Sequence, residues 1–141
     1  MKSRVVVLVA RLALGGLLLA AGWPKAHAPG AFIRDIWNFR LLPEGWAYWI
    51  AAVFPYLEIT VGLALITGLQ RRGAHVIAAA MLPVFFLFHA SAWARGLNID
   101  CGCFGSPHQP SVVHPAWWLA LIVAMGGALV VSVRAESPTQ T

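Results

Sequence analysis

Four long apolar blocks, joined by polar or mixed links, take up most of the chain: residues 5–22, 46–69, 73–94 and 116–133. Each is about 18 residues or longer, enough to cross a hydrocarbon core of ~30 Å at 1.5 Å per residue. The pattern predicts an all-α polytopic membrane protein, a four-transmembrane-helix up-down bundle forming one membrane domain. The links are a long loop at 23–45, a tight turn at Gln70-Arg71-Arg72 and a second loop at 95–115. Within the first loop, 31–42 has the spacing of an amphipathic helix. Phe32, Ile33, Ile36, Trp37 and Phe39 cluster on one arc, with Arg34, Asp35 and Asn38 opposite, which suits a segment lying at the membrane interface. Lys2, Arg4 and Ala26-His27-Ala28 imitate a secretory signal, but Arg11 interrupts its apolar stretch, so the block is read as a retained helix.

Composition agrees with this pattern. The chain is 60% hydrophobic and only 11% charged, where soluble domains carry about 25% charged residues. The net charge of +5 is spread between apolar blocks and forms no basic patch, which argues against a nucleic-acid partner. The lipid bilayer is the expected surrounding.

Tryptophan and arginine positions orient the bundle. Trp23, Trp37, Trp46, Trp49, Trp93, Trp117 and Trp118 all fall at one end of an up-down arrangement, and tryptophan favours the membrane–water interface. The other end carries Lys2, Arg4, Arg71, Arg72 and Arg134, and its shortest loop is doubly basic. The positive-inside rule then puts both termini in the cytoplasm of a bacterial inner membrane, with loops 23–45 and 95–115 outside.

The outer loop 95–115 holds the only two cysteines, in the run Asp100-Cys101-Gly102-Cys103-Phe104-Gly105. Thiols one residue apart can close on each other within the Cα spacing a disulfide tolerates, and Gly102 permits a tight ring. A bridge over so short a loop removes little unfolded-state entropy and is a poor staple. A strained short-range disulfide is readily reduced, which suits exchange. Cys103 is the expected attacking thiol, because the charge of Asp100 disfavours a thiolate at Cys101. Two other readings stay open. One is a structural bridge in a membrane scaffold or assembly factor; the other is a metal site formed by Cys101, Cys103, His108 and His114.

Two charges fall inside the apolar blocks, Arg11 and Glu58. Such residues usually have a partner, so the two are expected to pair, either to fix helix register or to make a polar seat for a membrane quinone or a proton path. Lys25 falls just beyond the outer end of the first block and His89 near the outer end of the third, where a cation could stabilise a thiolate. Pro55 and Pro83 lie within helices and are expected to kink them.

Together, Arg11-x3-Gly15, Gly22-x2-Lys25, Pro55-x2-Glu58-x3-Gly62 and the Asp100–Gly105 run resemble the MauE/DoxX-type redox-associated membrane proteins. The resemblance covers nearly the whole chain. It implies a four-helix inner-membrane protein that helps form or transfer disulfides in the periplasm, alongside a thioredoxin-like protein. Methylamine-utilisation members of the family are linked to maturation of methylamine dehydrogenase, a disulfide-rich substrate.

The topology has a direct test. A membrane-impermeant thiol reagent should label reduced Cys101 and Cys103 in intact spheroplasts. Labelling only after lysis would reverse the orientation.

Overall fold

The computed structural model describes residues 2–96, 123–124, 126–131 and 133–134. All four named elements in it are helices: α1 (Lys2–His27), α2 (Pro29–Asn38), α3 (Glu44–Thr67) and α4 (Arg71–Ala94). Among the described residues there is no strand, and 123–124, 126–131 and 133–134 are also helical. Three helical stretches are long and apolar enough to cross a membrane: Arg4–His27, Gly45–Thr67 and Arg72–Ala94. Half of the fourth apolar block, including Trp117 and Trp118, lies outside the described residues.

Local chemistry sets each break. Proline lacks an N–H and disfavours helical backbone in the residue before it. Pro29 therefore ends α1 at Ala28, whose φ is −129°, and opens α2 as its first residue. Arg40 turns the chain with a φ of 49°, and Pro43 leads into α3 with its carbonyl accepting from the Trp46 N–H. Gly68 closes α3 in the left-handed region, with φ 78° and its N–H on the Ala64 carbonyl at 2.9 Å. A side chain there would be strained.

α1 and α3 run antiparallel and in close contact. A methyl group on Gly15 would come within 2.8 Å of the Gly62 carbonyl oxygen, and one on Gly62 within 2.8 Å of that of Gly15. Seven residues along α1 (22 − 15 = 7), a methyl on Gly22 would meet the Pro55 carbonyl oxygen at 2.8 Å and the Glu58 Cβ at 2.9 Å. Small residues at such a seam let helix backbones approach closely where the hydrophobic effect supplies no force between helices. The neighbouring core is aliphatic. Leu14, Leu18, Val61, Leu65, Ala74, Ala78, Met81 and Leu82 are buried together, and Leu129 from the helical residues 126–131 joins them.

α4 packs antiparallel to α3, and the Phe54 and Phe85 rings meet edge-on at 5.4 Å. α2 lies against the start of α3, burying Phe32 and Ile36 with Ala47 and Ala51. Phe32 and Ile36 of its apolar stripe are thus taken up by protein, while Trp37 stays exposed. Around the bundle Val5, Val9, Val76, Leu87 and other large apolar side chains are exposed, as a lipid-facing surface requires. Trp23, Trp46, Trp49 and Trp93 are all exposed at the end where α2 lies; Arg4 and Arg72 belong to the opposite end.

The seam makes a clear prediction. Gly22→Leu should force α1 from α3 and destabilise the protein by about 1–3 kcal/mol, the usual cost of overpacking. Gly16→Ala, with nothing within 4 Å of its new methyl, should instead be neutral or gain up to about 1 kcal/mol. Thermal unfolding of the detergent-solubilised protein measures both. Equal effects would mean that the contact does not hold the helices.

Candidate functional site: a buried ion pair beneath an aromatic chamber

The partner of Glu58 is Lys25. Lys25 Nζ donates to Glu58 Oε1 at 2.8 Å and to Oε2 at 3.0 Å. Both side chains are sealed from solvent, at 2% and 0% exposure. The expected Arg11–Glu58 pair is replaced by this one, for a reason of direction. Side chains on a helix tilt toward its N-terminus. Glu58 packs beside Gly22, so Lys25 sits one turn further along α1 and leans back toward the carboxylate. Glu58, on the antiparallel α3, leans up to meet it. Arg11 lies 22 − 11 = 11 residues before Gly22, about 16 Å down the axis at 1.5 Å per residue, and leans the other way. Among the described residues, Arg11 Nε has no hydrogen-bond partner.

Aromatic rings surround the ammonium. Lys25 Nζ stands 5.1 Å from the Phe32 ring centroid and 5.3 Å from that of Phe85, within cation–π range. Above the pair lies a chamber of about 230 Å³, walled by Phe32, Phe39, Phe54, Phe85 and Phe88 with aliphatic neighbours. Its polar lining is Lys25 and His89. Leu42 and Val84, which also line it, are 36% and 42% exposed, so the chamber opens on the outside of the bundle.

Phe39 holds the chamber's upper wall. It stacks edge-on against Phe88 at 5.5 Å and His89 at 5.9 Å, and its carbonyl accepts a hydrogen bond from Arg95 Nη2. Arg95 Nε also donates to the Ser91 carbonyl at 3.2 Å. The end of α4 is thereby tied to the link between α2 and α3. His89 Nδ1 bonds the Phe85 carbonyl at 2.8 Å. A carbonyl only accepts, so Nδ1 carries the proton.

Of the residues singled out by sequence, the structure brings together Lys25, Glu58 and His89 and sets Arg11 apart. Lys25 is matched by a carboxylate, and its expected role toward a thiolate lies beyond the described residues. So do Cys101, Cys103, Asp100, Gly102, Phe104 and Gly105, along with His108 and His114. Among the described residues, no group of three or more metal-binding side chains comes together. Phe32 and Phe39 were expected only as part of an apolar arc, and Phe54, Phe85 and Phe88 were not singled out, because in an apolar sequence a phenylalanine marks nothing by itself; only the convergence of three helices makes them a wall.

The sequence profile of the family described as "Methylamine utilisation protein MauE" matches residues 3–133. The chain belongs to the MauE family. This MauE-family chain is 30% identical over 128 residues to "Methylamine utilization protein MauE" of Methylophilus methylotrophus, covering 90% of itself and 67% of that relative. It is 33% identical over 119 residues to the protein of the same name from Paracoccus denitrificans, covering 84% and 62%. With that of Methylorubrum extorquens it is 36% identical over 101 residues, covering 71% and 54%. It thus spans about half to two thirds of the length of these relatives. No solved structure matches it.

The ion pair makes a second prediction. Lys25→Met leaves a buried carboxylate without its partner and should cost about 3–5 kcal/mol. Replacing both partners, K25M with E58M, should recover most of that loss. A thermal-unfolding double-mutant cycle should therefore give strong coupling for Lys25 and Glu58, and additivity for Arg11→Ala with Glu58→Ala. Additive Lys25 and Glu58 costs would rule out the pair.

Proposed function

We propose that this chain is an inner-membrane factor whose Cys101/Cys103 pair, at the periplasmic face, exchanges disulfides with a protein being matured for methylamine utilisation. The carrying observation is the cysteine pair itself: the only two thiols of a membrane protein, one glycine apart, in a MauE-family chain. The pair follows the end of α4 closely in sequence, and α4 ends beside the aromatic chamber. The exposed tryptophans at that end support its placement at the outer membrane surface. Both termini are then cytoplasmic, with the fourth apolar block completing a four-helix bundle and α2 in the outer interfacial layer.

The chemistry is thiol–disulfide exchange. The Cys103 thiolate attacks a disulfide sulfur of the partner, one partner sulfur leaves as thiolate, and a mixed disulfide forms. Cys101 then attacks Cys103, releasing the partner as a dithiol and leaving the chain oxidised; the reverse sequence oxidises the partner. The partner is a periplasmic thioredoxin-like protein or a disulfide-rich substrate. The small subunit of methylamine dehydrogenase has the second character.

Cys101→Ser or Cys103→Ser should accumulate a mixed disulfide with a periplasmic protein on a non-reducing gel, and the double variant should show none. The reduction potential of the pair should lie well above the roughly −300 mV typical of structural disulfides. A pair that resists mild reductant, with no adduct from either single variant, would favour a structural bridge in a membrane scaffold. A stoichiometric metal lost with Cys101, Cys103 or His108 would favour a metal site.

A further inference from the structure

We propose that the aromatic chamber above the Lys25–Glu58 pair seats the ring of a lipid-soluble quinone. Size, polarity and access each point to such a ligand. An apolar cavity of roughly 150 Å³ takes up benzene, so about 230 Å³ suits one ring carrying small substituents. The walls offer phenylalanine faces and edges, on which a flat ring packs well.

The polar lining narrows the class. An ammonium has three N–H groups. Two of those on Lys25 go to Glu58, and among the described residues no hydrogen-bond partner takes the third. It is a single donor at the floor of an apolar pocket, matched to one carbonyl oxygen. The Glu58 carboxylate cancels the lysine's charge, so the floor is neutral overall and offers no attraction to a phosphate or carboxylate. The hydrocarbon part of a lipid tail has no oxygen to place there. A quinone carbonyl satisfies the donor while its ring fills the aromatic walls. The opening beside Leu42 and Val84 gives an isoprenoid tail a way out into lipid.

The seat extends the thiol–disulfide reading by naming an electron acceptor. Oxidation of the Cys101/Cys103 dithiol to a disulfide releases two electrons and two protons, and these reduce the quinone to the hydroquinone. Binding itself does not depend on the cysteines, so the two readings can fail separately.

The test uses the full-length protein in detergent and in native membranes, with a short-chain ubiquinone and its photoreactive azido analogue as probes. Cross-links should map by mass spectrometry to residues 32–42 and 84–89, and unlabelled quinone should compete them away. Phe88→Trp narrows the chamber, and Val84→Trp blocks its opening from a partly exposed position that folding tolerates. Each should weaken binding by about tenfold or more, equivalent to about 1.4 kcal/mol. Cys101→Ser and Cys103→Ser should bind as the unaltered protein does. Cross-links scattered over the lipid-facing helices, equal competition by a straight-chain alkane, or undiminished binding by Val84→Trp would each overturn the seat. Binding that passes these tests while no mixed disulfide can be trapped would leave the seat standing and remove the thiol chemistry.

Discussion

One ion pair, Lys25 to Glu58, organises the tryptophan-bearing half of this bundle. Neither charge can be left alone in a membrane interior, where an isolated ionised group costs roughly 2.5–3.5 kcal/mol even on the mildest scales. Their meeting fixes the register of α1 against α3, because a shift by one turn would move the groups about 5.4 Å apart. Gly22 makes the meeting geometrically available. It brings the α1 backbone against the Glu58 Cβ, so a lysine one turn above can reach down. The glycine seam and the ion pair are two parts of one device, one setting distance and the other setting register.

The aromatic chamber follows from that device. With α1 and α3 locked, α2 is held where Phe32 and Ile36 pack on Ala47 and Ala51, and Phe39 is carried across to Phe88 and His89. Arg95 then secures the Phe39 carbonyl from the far side. Each contact joins elements distant in sequence, so the chamber exists only once three helices are in place. The ammonium at its floor has an aromatic surround on one side and a carboxylate on the other.

Much of the helical architecture was legible in the sequence, because length and apolarity alone decide what can cross a bilayer. Tryptophan positions and the Arg71-Arg72 turn likewise foretold which helix ends share a side. The inner wiring was harder to read. Depth counting put Arg11 within reach of Glu58, but the tilt of side chains toward each helix's N-terminus sends those two apart and brings Lys25 and Glu58 together. Lys25 was read as lying just beyond its helix, since the first apolar block ends at Gly22; α1 in fact continues through Pro24 to His27. The amphipathic stripe in the first loop was visible as a stripe, though periodicity could not tell whether protein or lipid would cover it. A clue to the pair was present in the joint occurrence of Gly22-x2-Lys25 and Pro55-x2-Glu58, where a small residue on one helix sits one turn from a charge whose opposite lies on another.

The same ion pair bears on how the protein is built into the membrane. Lys25 stands two residues from the end of α1 (27 − 25 = 2), where a long side chain can reach toward the membrane surface. Glu58 has no such refuge: it lies 58 − 44 = 14 residues into α3, about 21 Å along the axis. A newly made α3 entering lipid alone would carry a bare carboxylate deep into hydrocarbon. Synthesis from the N-terminus delivers α1 first, so a lysine is already stationed when the glutamate arrives. The order of the two helices along the chain thus puts the counter-ion of Glu58 in place before Glu58 itself is made.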